Sequence, residues 1–446
     1  MNTAAGSGRV GVARIAWLAT LLLVVTGCAT RETAAPPSAP PPAPAPNVRI
    51  GPPIELTNFD TGSDRFKVVI DADGLAHVVI ATHAPGRVLE VVVRGDSVVE
   101  RRSIPTQAAA PPSIDAAFDE NHRLHALVGD EHWEFDGQAW RAGSPPPWRA
   151  FGVPVQSPRL VPGASHLIWS FNVEGGAIGA PGRIDWYGFG NAMGGIIWPW
   201  FSNGTRAVLV AQTPAGFGPW VAFEPEGLSD TQLIGAAAEA AGKVHAVYYH
   251  SRPGLGLAAG GSGGGASYLT VSADRLSGVD WPAGNSMGPG GTDRLRISSV
   301  QGGHWQHSAA QTPLYPRSWV CVEPSTGTAL VGAKWLVRHL LWSDPLAWTH
   351  RADAFAAGPA GGDSFHAAFL GEAFDPWFGK GGRPVRYVLL ADGRWSAPVD
   401  LGVAEVKAIW GSSWNAVDIA SSGDVAYVVW PTPSGIVARR IERISH

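Results

Sequence analysis

Short apolar runs alternate with turn-forming residues along most of the chain after about residue 48. Typical runs are His77-Val-Val-Ile-Ala81, His166-Leu-Ile-Trp-Ser-Phe171 and Tyr427-Val-Val-Trp430. Nearly continuous apolar runs of this length are typical of strands covered on both faces, whereas a surface helix spaces its apolar residues by three and four. Gly, Pro, Asp and Asn separate the runs and favour turns. The pattern therefore predicts an all-β body.

One motif recurs at intervals of roughly 40 to 50 residues, the length of a propeller blade. It is a turn containing Asp or Gly, followed by a histidine and an apolar run. The histidine copies are His77, His125, His166, His245 and His366. Looser copies place Ala207, Leu330 and Tyr427 at the same position.

A second element follows several copies, namely a turn that ends on tryptophan. It occurs at Asp136-Gly137-Gln-Ala-Trp140, before Trp220 and Trp348, and at Asp392-Gly393-Arg-Trp395. Asp-Gly pairs are hairpin turns because Gly accepts positive φ at little cost. The repeat unit is then a set of short strands that cannot bury both of its faces alone, and a ring of such units buries them. We predict a β-propeller of about seven blades, with six or eight as alternatives and two packed β-sandwiches as the rival fold.

The turn, histidine and apolar strand, with a later Asp392-Gly393-Arg-Trp395-Ser-Ala-Pro398 segment, resemble the repeats of bacterial sialidase-like propellers. The resemblance covers residues 48–446 and implies the propeller fold. The motif Ser-x-Asp-x-Gly-x-Thr-Trp, found in many members of that group, does not occur in this chain. Its absence counts against sialidase activity more than against the fold.

The first 27 residues have the features of an export signal. Arg9 and Arg14 precede an uncharged apolar run from Ile15 to Val25. As a helix this run is roughly 16 Å long at about 1.5 Å per residue, whereas a membrane span needs about 20 residues. The segment therefore fits a signal peptide.

Val25-Thr26-Gly27-Cys28 resembles the lipobox of bacterial lipoproteins. The resemblance implies attachment of diacylglycerol to the Cys28 thiol, cleavage between Gly27 and Cys28, and acylation of the new amino terminus. Several acyl chains anchor a protein stably, whereas one chain does so only marginally. Ala29 takes the place of the Asp that retains such lipoproteins in the inner membrane, which favours the outer membrane.

The mature chain is predicted to contain a linker and one domain. Residues 28–47 comprise the lipidated Cys and a Pro/Ala-rich stretch, which favours an extended, semi-rigid conformation. Residues 48–446 form the propeller domain. The formal net charge is −4 for the full chain, in which charged residues make up 16 %, and −6 once Arg9 and Arg14 are removed with the signal, so a nucleic-acid partner, which usually requires a basic face, is not expected.

Tryptophan clusters beside Gly and Pro are the candidate ligand contacts, because indole rings stack well on sugars and on protein partners. These candidates are Trp198, Trp200, Trp305 and Trp377. The repeated histidines are interpreted as makers of turn hydrogen bonds, since one histidine per blade lies too far from the next to share a metal ion. His304 and His307 form an H-x-x-H that lacks an adjacent acidic or Cys partner.

No catalytic constellation, metal site or cofactor motif is predicted. Cys28 is predicted to carry lipid, and Cys321 lies in an apolar run where a buried small side chain is expected. We therefore expect a lipid-anchored, envelope-facing propeller that binds a protein or glycan partner without catalysis. The alternative is a glycan-acting envelope enzyme that uses the central pocket of the propeller.

Overall fold

A computed structural model of the chain divides into two compact units, Met1–Pro42 and Ala43–His446. The structure describes residues 45–444 with internal gaps. The gaps are 60–64, 83–86, 109–112, 120, 162–166, 175–182, 190–195, 203–204, 214–215, 219–220, 223–229, 239–242, 252–263, 273–314, 324–327, 337–354, 361–363, 371–380, 392–393 and 407–415. Everything below refers to the described residues of the second unit.

These residues are almost entirely β-strand, with one short helix, α1 (Pro147–Phe151). The first strands are β1 (Val48–Glu55), β2 (Phe66–Ile70), β3 (Ala76–Ala81), β4 (Val88–Arg94), β5 (Ser97–Ile104), β6 (Ile114–Phe118), β7 (Leu124–Val128), β8 (Glu131–Phe135), β9 (Trp140–Ala142), β10 (Val155–Val161), β11 (Leu167–Glu174), β12 (Arg183–Phe189), β13 (Ile196–Ser202) and β14 (Thr205–Thr213). The remaining strands are β15 (Gly216–Phe217), β16 (Val221–Ala222), β17 (Asp230–Ala238), β18 (Lys243–Ser251), β19 (Gly264–Ser272), β20 (Tyr315–Glu323), β21 (Thr328–Leu336), β22 (Phe355–Pro359), β23 (Phe365–Leu370), β24 (Gly381–Ala391), β25 (Arg394–Trp395), β26 (Val399–Val406), β27 (Asp418–Ser422), β28 (Val425–Thr432) and β29 (Gly435–Arg443).

Within the described ranges, seven antiparallel sheets follow one another along the chain. Their strand sets are β2–β5, β6–β9, β10-β11-β14 with β15 and β16, β17–β19, β20–β21, β22–β24 with β25 and β26, and β27-β28-β29-β1. The last set joins the two ends of the domain, because Val48 of β1 pairs with Arg443 of β29. An eighth sheet, the β12–β13 hairpin, is inserted between β11 and β14.

The sheets contact one another in a closed ring. Strand β27 contacts β2, β2 contacts β6, and β6 contacts β10. Contacts continue from β10 to β17, from β17 to β21 and from β21 to β22, and β22 returns to β27. This ring of antiparallel sheets, closed by pairing of the first strand with the last, is a β-propeller. It excludes the two β-sandwiches, which would stack two sheets face to face.

The apolar cores lie between consecutive sheets. One core combines residues of β22–β26 with residues of β27–β29, and the next combines β27–β29 with β2–β4. Two further cores join β2–β5 to β6–β9 and β6–β9 to β10–β14. Residues on both faces of the middle strands are therefore buried, as the near-continuous apolar runs predicted. Val78, Val79 and Ile80 of β3 are all fully buried.

The sequence repeat maps onto these sheets with one correction. His77, His125, His245, Leu330, His366 and Tyr427 each lie on the strand that is second along the chain in its sheet, and His166 lies outside the described residues. The assignment of Ala207 to a separate repeat is wrong, since Ala207 lies on β14 and pairs with Asn172 of β11 in the same sheet. The β12–β13 insertion separates these two strands along the chain, so that their spacing in the sequence resembles the spacing between two blades.

Candidate functional site at the innermost strands

Four of the first strands of their sheets carry a lone charged residue between two apolar or imino residues. These residues are Lys67 on β2, Asp115 on β6, Arg159 on β10 and Asp418 on β27. Three of the four share one register position, since Lys67, Asp115 and Asp418 pair with Val79, Leu127 and Val429, each two residues after the repeat position. The four strands are neighbours in the ring. The arrangement therefore places two cations and two carboxylates on adjacent innermost strands, where a propeller presents its central cavity.

The two aspartates connect each innermost strand to the next. Asp418 Oδ2 accepts the backbone N–H of Val68 at 2.9 Å, and Asp115 Oδ2 accepts the backbone N–H of Leu160 at 2.6 Å. Asp115 is 7 % exposed and Asp418 is 9 % exposed. Each carboxylate thus satisfies a backbone donor of the neighbouring strand, which would be costly to leave unpaired in the interior.

Lys67 pairs with one of these carboxylates and remains accessible. Its Nζ lies 3.2 Å from Oδ1 and 3.1 Å from Oδ2 of Asp418, and its side chain is 32 % exposed. Burial lowers the pKa of Lys67, but the charges of Asp418 and Asp115 outweigh that effect and raise the pKa above its usual value. Lys67 is therefore cationic at neutral pH.

The pKa of Asp115 is also raised, which for a carboxyl group favours the neutral form. Burial raises the pKa of Asp115, while Lys67, Arg159 and the Leu160 N–H lower it without cancelling the burial. Arg159 itself is exposed. The groups at this position that reach solvent are thus the two cations, and the carboxylates lie behind them. Such an arrangement suits binding of an acidic or strongly polar group better than proton transfer to a substrate, which requires a carboxyl group within hydrogen-bond reach.

The repeated histidines have structural partners within and between sheets. Asp71 Oδ1 accepts the N–H groups of Asp73 and Leu75, and its Oδ2 lies 3.3 Å from His77 Nε2. Asp119 repeats the turn with the N–H groups of residues 121 and 123, and its Oδ2 lies 3.3 Å from His125 Nε2. The expectation of turn contacts is confirmed at these two copies.

The other ring nitrogen of each histidine has its partner at one repeated position on the third strand. His77 Nδ1 lies 2.7 Å from Glu90 Oε1, His125 Nδ1 lies 2.9 Å from His132 Nε2, and His366 Nδ1 lies 2.8 Å from Tyr387 Oη. These partners pair with Val79, Leu127 and Ala368, each two residues after its histidine. The partner differs from sheet to sheet although its place does not.

Most of the residues predicted as sites lie outside the described residues. Gly27, Cys28, Trp305 and Trp377 are among them. Trp198 and Trp200 lie on β13, where the register pairs them with Tyr187 and Asp185 of β12. Lipidation and the tryptophan contacts therefore remain predictions. Among the described residues, no helix is both long and apolar enough to span a bilayer.

The charged residues of the innermost strands were not singled out from the sequence. The available signal was a lone charge between apolar neighbours, as in Phe66-Lys67-Val68, Ile114-Asp115-Ala116 and Val417-Asp418-Ile419. Lys67 and Asp115 precede their repeat histidines by the same number of residues. Aligning these two copies on the histidine would have shown a charge at the same position of both, whereas Gln156, Gly235, Ala356 and Val417 take that position in other copies.

Fold and site together define the chain as a β-propeller with a charged set of innermost strands. No family model matches the sequence, and no curated protein matches it. Among solved structures, virginiamycin B lyase from Staphylococcus aureus is similar at 9 % identity, with 89 % of this chain and 100 % of that chain covered and a TM-score of 0.38. A Penicillium chrysogenum α-L-arabinanase in complex with arabinobiose is similar at 9 % identity, 89 % and 99 % coverage and a TM-score of 0.42.

A third similar structure is Trypanosoma rangeli sialidase in complex with sialic acid, at 11 % identity, 91 % and 60 % coverage and a TM-score of 0.38. All three TM-scores are below 0.5, so the assignment of the fold rests on the sheet order, the ring of contacts and the closure of β1 on β29.

Proposed function

We propose that this chain is a lipid-anchored protein of the bacterial cell envelope whose propeller binds a protein or glycan partner without transforming it. The anchor is the acylated Cys28, and the Pro/Ala-rich linker holds the propeller away from the bilayer. Fully extended, residues 28–47 reach roughly 60 Å at about 3.1 Å per residue. Ala29 after the lipidated Cys favours the outer membrane.

The observation that supports binding rather than catalysis is how the two inner carboxylates are used. Asp115 and Asp418 each accept a backbone N–H of the next strand and are almost fully buried. Lys67 and Arg159 are the groups of this set that reach solvent. An acidic or strongly polar group of the partner would therefore be held by these two cations, by charge-assisted hydrogen bonds.

The anchor is tested by replacing Cys28 with Ser in the producing bacterium. Labelling with a radioactive fatty acid and fractionation of the cells should show a labelled, membrane-bound wild type. The Cys28→Ser variant should be unlabelled and soluble in the periplasm or retained as uncleaved precursor. Equal labelling of both proteins would exclude Cys28 as the lipidation site.

The binding site is tested by charge reversal at Arg159, which is exposed and whose replacement leaves the two aspartate contacts in place. The full-length protein should recover a specific protein or glycan from envelope extracts, and Arg159→Glu should lower that recovery at least tenfold. Arg141→Glu is the matched control, because Arg141 is exposed on the outer strand β9. Equal loss in both variants, or no specific partner for the wild type, would contradict the proposed site.

A glycan-acting enzyme is the second candidate, and the raised pKa of Asp115 is the observation that favours it. General acids of glycosidases have raised pKa values of this kind. A panel of fluorogenic glycosides tests it directly. Turnover by the wild type that is abolished in Asp115→Asn, with the fold retained, would replace binding by catalysis as the function.

A further inference from the structure

Two histidines and a glutamate of the second sheet converge on one point. His125 lies on β7, and His132 and Glu134 lie on β8. His125 pairs directly with Glu134, and His132 pairs with Leu127, two residues beyond His125. Directly paired residues share a face of the sheet, as do residues two apart on one strand. The register alone therefore places all three side chains on one face.

The ligand atoms of the three residues are close together. His125 Nδ1 lies 2.9 Å from His132 Nε2, and Glu134 Oε1 lies 4.0 Å from each of these two nitrogens. The side chains of His125 and His132 are 4 % and 0 % exposed, whereas that of Glu134 is 32 % exposed. The two nitrogens are thus held inside the protein and the carboxylate approaches them from the side of the solvent.

The outer nitrogens of both rings face hydrogen-bond acceptors. His132 Nδ1 donates to the carbonyl oxygen of Ser144 at 2.9 Å, so its Nε2 carries a lone pair. His125 Nε2 lies 3.3 Å from Asp119 Oδ2, and this buried nitrogen has no other polar partner within the part of the chain that the structure describes. Asp119 Oδ2 also accepts a hydrogen bond from Arg123 Nε at 3.0 Å.

The two rings carry one proton fewer than their contacts require. Three contacts each need a proton between their two atoms, namely Asp119 to His125, His125 to His132, and His132 to the Ser144 carbonyl. Two neutral imidazole rings carry only two N–H groups. If these two protons lie in the contacts with Asp119 and with the Ser144 carbonyl, the lone pairs of His125 Nδ1 and His132 Nε2 face each other at 2.9 Å.

We infer that a divalent transition-metal ion such as Zn²⁺ binds between His125 and His132, with Glu134 as its third protein ligand. Neutral imidazole nitrogens and a carboxylate are ordinary zinc ligands, and three protein ligands leave the fourth position to water. Two nitrogens about 2.0–2.1 Å from a tetrahedral ion lie roughly 3.3 Å apart. The histidines would separate by a few tenths of an ångström, and Glu134 would move closer by somewhat more.

The surroundings match those of metal-binding histidines. Such histidines donate their second N–H to a carboxylate or a backbone carbonyl, which fixes the ring and its tautomer. Asp119 takes this role for His125, and the Ser144 carbonyl takes it for His132. Gly143 leaves room for the site, because a Cβ there would lie 2.5 Å from His132 Nδ1 and 3.0 Å from Glu134 Cγ.

The first sheet provides an internal comparison. Glu90 takes the place of His132, and Val92 takes the place of Glu134, since Val92 pairs with His77. In that sheet a carboxylate meets His77 Nδ1, and the contact needs no metal. In the second sheet a histidine replaces the carboxylate and a glutamate appears two residues later, so the same position becomes a set of three ligands.

The test is a titration of the full-length protein, freed of metal with a chelator, with Zn²⁺ and separately with Co²⁺. Isothermal titration should give one tight Zn²⁺ site per chain, and the Co²⁺ complex should have the visible spectrum of a tetrahedral N/O site without thiolate absorption. Glu134→Gln should lower the affinity at least tenfold. Asp119→Asn, a change at a positioning residue, should lower it by about 10- to 100-fold.

Glu100→Gln is the matched control, because Glu100 is a partly exposed glutamate on strand β5 of the neighbouring sheet. Its affinity for Zn²⁺ should equal that of the wild type, and circular dichroism should show that all variants are folded. Unchanged Zn²⁺ affinity in Glu134→Gln would overturn the assignment, as would a wild type that binds no Zn²⁺. In the latter case nitrogen NMR should find a proton shared by the two rings.

Discussion

Replacement of Glu90 tests how the first two sheets are held together. Glu90 lies on β4 and is fully buried. Its Oε1 accepts hydrogen bonds from His77 at 2.7 Å and Arg102 at 3.0 Å, and its Oε2 accepts one from Trp140 at 2.9 Å. Trp140 belongs to the neighbouring sheet, so one carboxylate joins two strands of its own sheet to the next blade.

The expected cost of Glu90→Ala follows from the groups that lose their partner. His77 Nδ1 and Trp140 Nε1 become unsatisfied inside the protein, at about 1–3 kcal/mol each. Arg102 keeps Glu100 as a partner and adds little. Relief of the buried negative charge offsets part of the loss. Breaking a buried ion pair by removing one partner typically costs about 3–5 kcal/mol, so we expect a loss of about 4 kcal/mol.

Two further variants calibrate this value. Glu90→Gln keeps one oxygen as an acceptor and should cost about 2 kcal/mol, because only the charge and one hydrogen bond are lost. Glu100→Ala removes the other carboxylate on Arg102, and since Glu100 is 49 % exposed the cost should stay below about 1 kcal/mol. The ratio of the three values, rather than any one alone, identifies the buried network as the cause.

Urea unfolding followed by tryptophan fluorescence provides the measurement. The free energy of unfolding should fall in the order wild type, Glu100→Ala, Glu90→Gln, Glu90→Ala, with similar denaturant dependence for all four proteins. If Glu90→Ala lost no more than Glu100→Ala, the carboxylate would not join the sheets, and the reasoning from its hydrogen bonds would be wrong.

Three other replacements test separate features. Burial lowers the pKa of His366 to about 4, although the Gly423 carbonyl accepts a hydrogen bond from its Nε2–H. As the pH falls below about 6.5, the histidine therefore takes up a proton in the unfolded chain before it does so in the folded protein. The free energy of unfolding should be lower by roughly 3 kcal/mol at pH 4. His366→Gln should flatten the pH dependence of the free energy of unfolding in that window, and an unchanged slope would contradict it. Asp418→Ala removes the carboxylate that accepts from the Val68 N–H and pairs with Lys67. It should lower the free energy of unfolding by about 2–4 kcal/mol. A loss below about 0.5 kcal/mol would show that this contact between strands β27 and β2 does not stabilise the fold. Gly143→Ala inserts a Cβ against His132 and should cost about 1–3 kcal/mol in thermal or urea unfolding, whereas a neutral result would mean that the ring moves aside freely.

The fold could be predicted because each blade leaves the same trace in the sequence. A middle strand covered on both faces requires apolar residues at every position, as at Val78, Val79 and Ile80. The turn before it requires Asp71 or Asp119 to hold its backbone amides, and a left-handed residue, which is Gly74 in one copy and His122 in the other. These demands are local and therefore visible without the structure.

The site could not be predicted in the same way because its residues are separated by register and insertions. His132 and Glu134 form an H-x-E pair on one strand, but only the pairing of β7 with β8 brings His125 to them. Likewise Asp115 and Leu160 meet through contact between sheets rather than through nearness in sequence. The assignment of Ala207 to a separate repeat was wrong for the same reason, since no local signal in the sequence distinguishes the β12–β13 insertion from the connection between two blades.

The repeat histidine shows how one position acquires different chemistry while the backbone stays the same. Opposite His366, Tyr387 Oη donates to Nδ1 and Gly423 accepts from Nε2, so a neutral ring satisfies both partners. Opposite His77, both ring nitrogens meet carboxylates, Glu90 and Asp71, which accept hydrogen bonds. Opposite His125, the partner is a second histidine whose own proton is committed to the Ser144 carbonyl. Of these three combinations, only the last brings two imidazole nitrogens and a glutamate together, and for that reason a metal ion is expected in the second sheet and not at His77 or His366.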